Sequence, residues 1–415
     1  MPDPVVIVGG GAAGLMAALT AAGQGARVLL LERNEKPGKK LYITGKGRCN
    51  VTNLCTPAEF MKSVVRNPRF LYSALNAFPP QAMIDLLAGL GCPTVTERGN
   101  RVFPKSQKAS DITRAFTRRL ETLPVTTRFN ARVRALQTEG GAVRGVVLYS
   151  GERIAADAVI VCTGGVSYPS TGSTGDGYRL LESCGHTLIP PRPALCGLIS
   201  KERWIHGLQG LSLKNVRLTV TDGKQTLLSE IGELLFTHRG ISGPLVLTAS
   251  SLTAERKGCA LTLDLKPGLR EEQLEQRLLR EIGESGKKQM LSILRGLYPE
   301  SLALAIAALA EIDVHGPACE LPKAKRQALV RLTKALPLPV TGPEPIEAAV
   351  VTAGGADVKE FNPSTMESKH ISGLYAAGEV LDVDALTGGF NLHIAFATAF
   401  AAAKAAANAI QANEE

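Results

Sequence analysis

An α/β fold built on a parallel sheet is predicted by three observations near the start of this 415-residue sequence. Val5-Val6-Ile7-Val8 is a short, all-apolar, β-branched run, the composition of a strand covered on both faces. Gly9-Gly10-Gly11-Ala12-Ala13-Gly14 follows at once, and Leu15-Met16-Ala17-Ala18-Leu19 continues as helix. A second apolar run, Arg27-Val28-Leu29-Leu30-Leu31, ends in an acid, Glu32.

Strand, GxGxxG, helix, strand and acid is the order of a Rossmann-like dinucleotide-binding unit. Gly9 permits the tight turn, Gly11 lets the backbone approach a pyrophosphate, and Gly14 lets helix and strand pack closely. The diphosphate is expected at the helix start, near Ala12 and Ala13, where free N–H groups and the dipole favour negative charge. Glu32 is expected to accept hydrogen bonds from ribose hydroxyls. An acid there, rather than Arg, points to an unphosphorylated ribose, as in FAD or NAD.

Composition sets the outer limits. Hydrophobic residues are 45% and charged ones 20%, which excludes a disordered or collagen-like chain. The length allows two or three domains. Lys and Arg total 47 against 38 acids, a net charge of +9 that permits an anionic partner. Aromatics at 5% leave few residues for a single-strand stacking surface. The eight cysteines are scattered without CxxC or ligand-like spacing to His, so no metal is expected. Met1-Pro2-Asp3 runs straight into the first strand, leaving no room for a signal peptide, and no apolar stretch is expected to reach transmembrane length. A cytoplasmic protein with reduced thiols and no membrane partner is the expectation.

Three later segments favour FAD. The glycine-rich, basic stretch Pro37 to Asn50 reads as a loop that runs along a diphosphate and a ring system. Ala158-Val159-Ile160-Val161-Cys162 reads as a buried strand ending in Thr163-Gly164-Gly165. Gly373-Leu374-Tyr375-Ala376-Ala377-Gly378-Glu379 leads to Thr387-Gly388-Gly389-Phe390-Asn391 and an alanine-rich helix from about Leu392 to Ala409. A second helix N-terminus is thereby expected at the flavin's pyrimidine edge, where its partial positive charge would favour an anionic reduced ring. Candidate cofactor contacts are therefore Gly9, Gly11, Ala12, Ala13, Gly14, Glu32, Arg33, Gly47, Arg48, Thr163, Gly164, Gly165, Glu379, Gly389 and Leu392. No second GxGxxG follows a strand, so NADH or NADPH is expected to dock transiently as reductant rather than in a domain of its own.

Between these pieces the pattern changes. Val216 to Thr221 and Leu261 to Leu265 alternate as antiparallel strands do. Arg270 through Lys334 is charged and helix-periodic, broken at Pro299 and Gly316-Pro317. Pro190-Pro191-Arg192-Pro193 and Pro337-Leu338-Pro339 are expected to mark the borders of an insert over about residues 191–345.

The stretches VIVGGGAAGLMAA, KPGKKLYITGKGRCNVTN, GNRVFPKSQKASD, CTGGVSYPSTGSTGDGY, GELLFTHRGISGPLVL and TAGGADVKEFNPSTMESKHISGLYAAGEVLDVDALTGGFNLHIAFATA span nearly the whole chain. In them the chain resembles the BaiN/RdsA (YhiN-like) FAD-dependent flavoproteins. That resemblance implies a discontinuous FAD domain, residues 1–190 and 346–415, interrupted by a β-barrel over 191–268 and a helical subdomain over 269–345. It also implies FAD contacts around Gly14, Glu32, Lys40, Leu41, Gly378 and Asn391, with a backbone contact to adenine near Val133.

Reduction of an activated C=C bond needs a proton donor beside the flavin. Cys49 is one candidate, with Arg48 and Lys46 expected to lower its pKa. The alternative for Cys49 is a small residue packed under the ring. Tyr168 and Thr171, in a Gly/Ser-rich loop, and His238, in the insert, are the others. Basic residues fall in two groups. Arg33, Lys36, Lys39, Lys40, Lys46 and Arg48 are partly explained by the FAD diphosphate. Arg98, Arg101, Lys105, Lys108, Arg114, Arg118 and Arg119 form either a solvated helix face or a track for a phosphate backbone. The resemblance implies two substrates with an enone-like system: uridine in large-subunit ribosomal RNA, reduced to dihydrouridine, and a 3-oxo-Δ4,6 bile acid. The charge tilts the expectation to RNA, although a flavin oxidase or a binding module without turnover is a further alternative.

Overall fold

The computed structural model describes residues 3–256, 258–285 and 287–412. The chain divides into two compact units, Met1–Ala194 with Pro345–Glu415 and Leu195–Glu344.

The first unit is organised by a five-stranded sheet in the order Leu374–Ala376, Ala158–Val161, Val5–Val8, Val28–Leu31, Val125–Arg128. All four pairings are parallel. Every residue of Val5–Val8 and Ala158–Val161 is buried, which is why these strands carry no polar alternation. Helix Ala12–Gly23 packs on the centre of the sheet, and helix Phe390–Ala412 packs on Ala12–Gly23 and on the Leu374–Ala376 edge. Their facing surfaces are alanine-rich, including Ala17, Ala18, Ala21, Ala399, Ala402 and Ala403, so the backbones approach closely without large side chains between them.

Phe390–Ala412 corrects one expectation. Among the described residues it is long and apolar enough to cross a membrane, with 23 residues and a mean hydropathy of 1.2, but 72% of its most apolar window is buried inside the protein. Its apolarity is that of a core helix covered on most sides.

Leu188–Ala194 and Val351–Ala356 form an antiparallel ribbon. The first proline cluster therefore sits inside a strand rather than in a connection. The register shifts between Ile189 and Arg192. Pro190 and Pro191, which have no N–H to donate, are tolerated at that irregularity.

The second unit contains a seven-stranded antiparallel sheet in the order Leu336–Pro337, Ala260–Asp264, Ser212–Asp222, Gln225–Phe236, Gly240–Ser242, Leu198–Ile199, Gly342–Pro343. Helices Glu271–Ser285, Met290–Arg295, Glu300–Leu309 and Lys323–Lys334 follow the sheet's fifth strand in sequence, Ala260–Asp264. Leu218, Leu234, Phe236 and Leu263 from the sheet share one apolar core with Leu274, Leu294, Ile306 and Leu329 from these helices.

Candidate functional site

The turn after the first strand is shaped by backbone crowding. Gly9 has φ +104°, and a Cβ there would lie 2.6 Å from the Cys162 carbonyl oxygen. A Cβ on Gly14 would lie 1.7 Å from the Gly9 oxygen. Gly11 is different, because a Cβ built on it meets nothing within 4 Å. Helix Ala12–Gly23 starts there with no side-chain cap and no acid in its first turn. The Leu15 N–H is bonded to the Gly11 oxygen at 2.9 Å, so the donors ahead of it have no capping side chain. Uncapped donors beside an open glycine make an anion cradle.

Glu32 is 5% exposed, and it is already engaged. Its Oε2 accepts from Gly10 N at 2.7 Å, and Oε1 accepts from Asn34 N and Nδ2, both at 2.7 Å. A carboxylate offers about four lone-pair sites, so these three bonds leave roughly one for a ligand hydroxyl. The acid thus fixes the turn first. Val133 is buried at the start of strand Val133–Glu139.

The basic stretch after Glu32 departs from the sequence reading in one respect. It is not all loop: Lys39–Ile43 is helix and buries Leu41. Four of its six cations also have carboxylate partners. Arg33 pairs with Asp176, Lys39 with Glu35, Lys40 with Glu379, and Arg48 with Glu97. Arg48 also lies over the Phe103 ring at 4.1 Å. Gly47, with φ +84°, is exposed beside them.

Two polar networks missed by the sequence reading hold this region. In one, Glu379 accepts from Lys40 Nζ at 2.7 Å, Ser167 Oγ at 3.1 Å and Thr352 N at 2.7 Å. Thr352 Oγ1 in turn accepts from Val166 N and Ser167 N at 2.9 and 3.1 Å. Gly165 is required there, since a Cβ would lie 2.3 Å from Thr352 Oγ1. Gly164 has φ +72°, and Thr163 Oγ1 is buried without a partner. In the other network, Asp176 accepts from Arg33, Arg132 and Arg179. Burial opposes its charge, but Arg132 and Arg179 outweigh it and hold the carboxyl below its ordinary range. Only the motif stretches containing Thr352 and Asp176 signalled these residues; neither stands at a spacing that marks it.

The C-terminal segment forms a second cradle. Gly378, at φ +80°, packs against Ala13, to whose Cβ a Cβ of its own would lie 3.0 Å away. A Cβ on Gly389, at φ +97°, would lie 2.4 Å from the Thr52 oxygen and 2.8 Å from Asn50 Oδ1. Both ends of the Asn391 side chain bond Ala385: Nδ2 donates to Ala385 O at 2.7 Å and Oδ1 accepts from Ala385 N at 2.9 Å. Leu392 is half-buried at the same helix start. Asn50 Oδ1 and Thr52 Oγ1 are buried without hydrogen-bond partners among the described residues. Alongside lies an open cleft of about 360 Å³, lined by Asn53, Asn100, Arg101, Thr387, Gly388 and Phe390 among others.

The candidate proton donors are placed differently. Cys49 has φ +59° and no exposed surface, and burial pushes its thiol up to about 12, against a weaker opposing hydrogen bond to Thr44. The expected lowering by Arg48 and Lys46 is overturned, because desolvation dominates and Arg48 is paired with Glu97. Tyr168 is half-buried at φ +52°, and the Thr171 hydroxyl donates to its carbonyl at 2.7 Å. His238 is exposed in a turn of the second unit, between strands Gln225–Phe236 and Gly240–Ser242. Of the second basic group, Arg98, Lys105, Lys108, Arg114, Arg118 and Arg119 are exposed, with Arg114 paired to Asp111 at 3.2 Å.

Comparison with known proteins agrees with this architecture. A family model described as "HI0933-like protein Rossmann domain" matches residues 3–405. The chain is 34% identical to a 3-dehydro-bile acid delta(4,6)-reductase of Clostridium scindens, covering 97% of this chain and 98% of that protein. It is 33% identical to a ribosomal RNA dihydrouridine synthase of Haemophilus influenzae, covering 96% and 97%. Among solved structures, a 3-ketosteroid-delta4-(5alpha)-dehydrogenase from Rhodococcus jostii shares the fold at 16% identity and TM-score 0.54, covering 98% of this chain and 97% of that one.

Proposed function

This chain belongs to the HI0933-like family, and from that premise we propose that it is an FAD-dependent oxidoreductase that reduces an activated C=C bond, with uridine in large-subunit ribosomal RNA as substrate. The residues fit the cofactor. The uncapped start of helix Ala12–Gly23 and the open Gly11 suit a diphosphate, and Glu32 retains about one acceptor site for a ribose hydroxyl. The partnerless Thr163 Oγ1, Asn50 Oδ1 and Thr52 Oγ1 are buried polar atoms of the kind a polar ligand satisfies.

Bound FAD supplies the two-electron exchange. The chain's part is to hold and orient it. The turn Gly9–Gly14 takes the diphosphate, the Val133 backbone the adenine, and the cradle of Gly378, Gly389 and the second helix start the ring end. Lys40 and Glu379 tie the motif segments together by their ion pair, and Asp176 fixes Arg33 and Arg132 beside the proposed ribose end. Cys49 packs in this reading. Tyr168 and His238 are the donors we propose to test for the proton. NADH or NADPH is the proposed reductant, as a transient ligand. We also read the insert's sheet as a barrel, but with other bounds than 191–268 and 269–345: its end strands, Leu336–Pro337 and Gly342–Pro343, follow the helices, so the helical part lies between strands of the sheet.

The observation that favours RNA is the exposed basic stretch. Among the described residues Arg98, Lys105, Lys108 and Arg118 form no ion pair, and Arg101 of the same group lines the cleft beside Gly388. Cations without carboxylate partners are what a phosphate backbone recruits. A single extruded base needs only a pocket, not a stacking surface. A second reading, reduction of a 3-oxo-Δ4,6 steroid acid, draws on the 34% identity to the bile acid reductase over 97% of the chain. The test is to incubate the reduced protein with large-subunit rRNA lacking the modification and, separately, with the steroid. Dihydrouridine found by mass spectrometry is the expected result; saturation of the steroid with untouched RNA would replace it.

A further inference from the structure

Away from the residues assigned to the cofactor, His186, Glu360 and His370 of the first unit bring their donor atoms within 4.8 Å of one another. His186 follows helix Asp176–Glu182, Glu360 ends the turn Val358–Glu360, and His370 lies ahead of strand Leu374–Ala376. Glu360 Oε2 is the common point, 3.1 Å from His186 Nδ1 and 3.6 Å from His370 Nε2. Ligands about 2.0–2.2 Å from a tetrahedral zinc ion stand about 3.4 Å from one another. The two observed separations bracket that edge.

We propose that His186 Nδ1, Glu360 Oε2 and His370 Nε2 bind one divalent transition-metal ion of the zinc class, with water as the fourth ligand. Two nitrogens and one carboxylate oxygen suit zinc, nickel or copper better than magnesium or calcium. The surroundings are those of a held ligand set. The His186 ring is stacked on Phe361 at 4.4 Å, and its Nε2 lies 2.8 Å from Ser368 Oγ, which itself accepts from His370 N and Ile371 N at 3.0 Å each. A partner on the second ring nitrogen orients metal-bound histidines. Glu360 Oε2 is further fixed by Thr187 N at 2.8 Å. The His370 side chain is 43% exposed against 1% for His186, so the ion enters from the His370 side and a modest swing of that ring closes the third edge. For the ion to bind, the single ring proton of His186 sits on Nε2, facing Ser368 Oγ, and Nδ1 offers its lone pair. The ion would tie three segments together without touching the redox site. Spacing rules cannot see such a cluster, because His186 and Glu360 are 174 residues apart.

The test uses the full-length, flavin-loaded protein, stripped with EDTA and then equilibrated with zinc. One zinc per chain by elemental analysis, with a raised melting temperature, is expected. His370→Ala should abolish that zinc and the thermal shift while leaving flavin content unchanged, since His370 is at the surface. Ser368→Ala should weaken zinc by about 10–100-fold. Substoichiometric zinc in the wild type, or equal zinc in His370→Ala, would overturn the site and reduce the three groups to a hydrogen-bonded cluster. Neither result bears on whether FAD binds, so the functional proposal stands or falls separately.

Discussion

Two glycine-rich helix starts, Gly9–Gly14 and Gly388–Gly389, look alike in sequence and are packed differently. At the first, Gly9 and Gly14 are crowded by backbone, yet Gly11 faces open space and the helix start carries no side-chain cap. At the second, Gly389 is pressed on the Thr52 oxygen and Asn391 is spent on Ala385. The first is open in front of Gly11, where we propose the diphosphate; at the second, the glycines press the proposed ring-end cradle against the Asn50–Thr52 segment. Glycine content alone does not distinguish the two roles. What a side chain would strike does.

The largest effects separate Gly14 from Gly11. Gly14→Ala puts a methyl 1.7 Å from the Gly9 oxygen and should cost more than about 4 kcal/mol, visible as loss of soluble protein. Gly11→Ala meets no protein atom within 4 Å. It should leave the apoprotein's stability within roughly 1 kcal/mol of wild type while weakening FAD by at least about tenfold, or 1.4 kcal/mol. The two readouts are chemical denaturation of apoprotein and flavin titration. If Gly11→Ala binds FAD normally, the open glycine is not the ligand's approach and the comparison fails.

At the second cradle the cost should appear in stability. Gly389→Ala forces a side chain into φ +97° and 2.4 Å from the Thr52 oxygen, for an expected loss of about 2–4 kcal/mol in denaturant titration of the apoprotein. Equal apoprotein stability with weakened FAD would instead make Gly389 a ligand glycine like Gly11.

The same contrast explains what was legible in the sequence. Val5–Val8 and Ala158–Val161 are buried on both faces, so their composition alone declares them, and Glu32 stands where a strand's end puts it. Local patterns carry local structure. Asp176 and Glu379 each gather partners from distant segments, Arg33 and Arg132 in one case and Lys40 and Thr352 in the other, and no periodicity encodes such meetings. The ion pairs of the basic stretch were illegible for the same reason: the partners of Arg33, Lys40 and Arg48 lie elsewhere in the chain. Pro190-Pro191 read as a border because a strand containing two residues without N–H groups is uncommon away from an irregular register.

A pH experiment sharpens the second cradle from within its helix. His393 is fully buried among Phe60 and Phe78, donates from Nε2 to Phe78 O at 3.0 Å, and leaves Nδ1 without a partner. Burial lowers its pKa to about 4 from 6.5, the Phe78 bond opposing only weakly. The unfolded chain therefore takes the proton first. Stability from the neutral ring is complete above about pH 6.5, declines as pH falls, and is lost by about pH 4. The loss should be on the order of 3 kcal/mol, and His393→Gln should flatten that slope. An unchanged slope in the variant would assign the acid sensitivity to other groups.

The smallest effect expected is at Cys49, in the segment that also supplies Asn50 and Thr52 to the second cradle. Its thiol has no exposed surface and is pushed up to about 12 by burial, so it should resist alkylation by iodoacetamide at neutral pH in the folded protein. Cys49→Ala removes one buried sulfur and should cost about 1 kcal/mol, with the rate at which substrate reoxidises the reduced protein unchanged. Ready alkylation, or slowed reoxidation with FAD still bound, would move Cys49 from packing into the chemistry. It would also mean that this second cradle, crowded as it is, opens far enough for a reacting molecule to reach its floor.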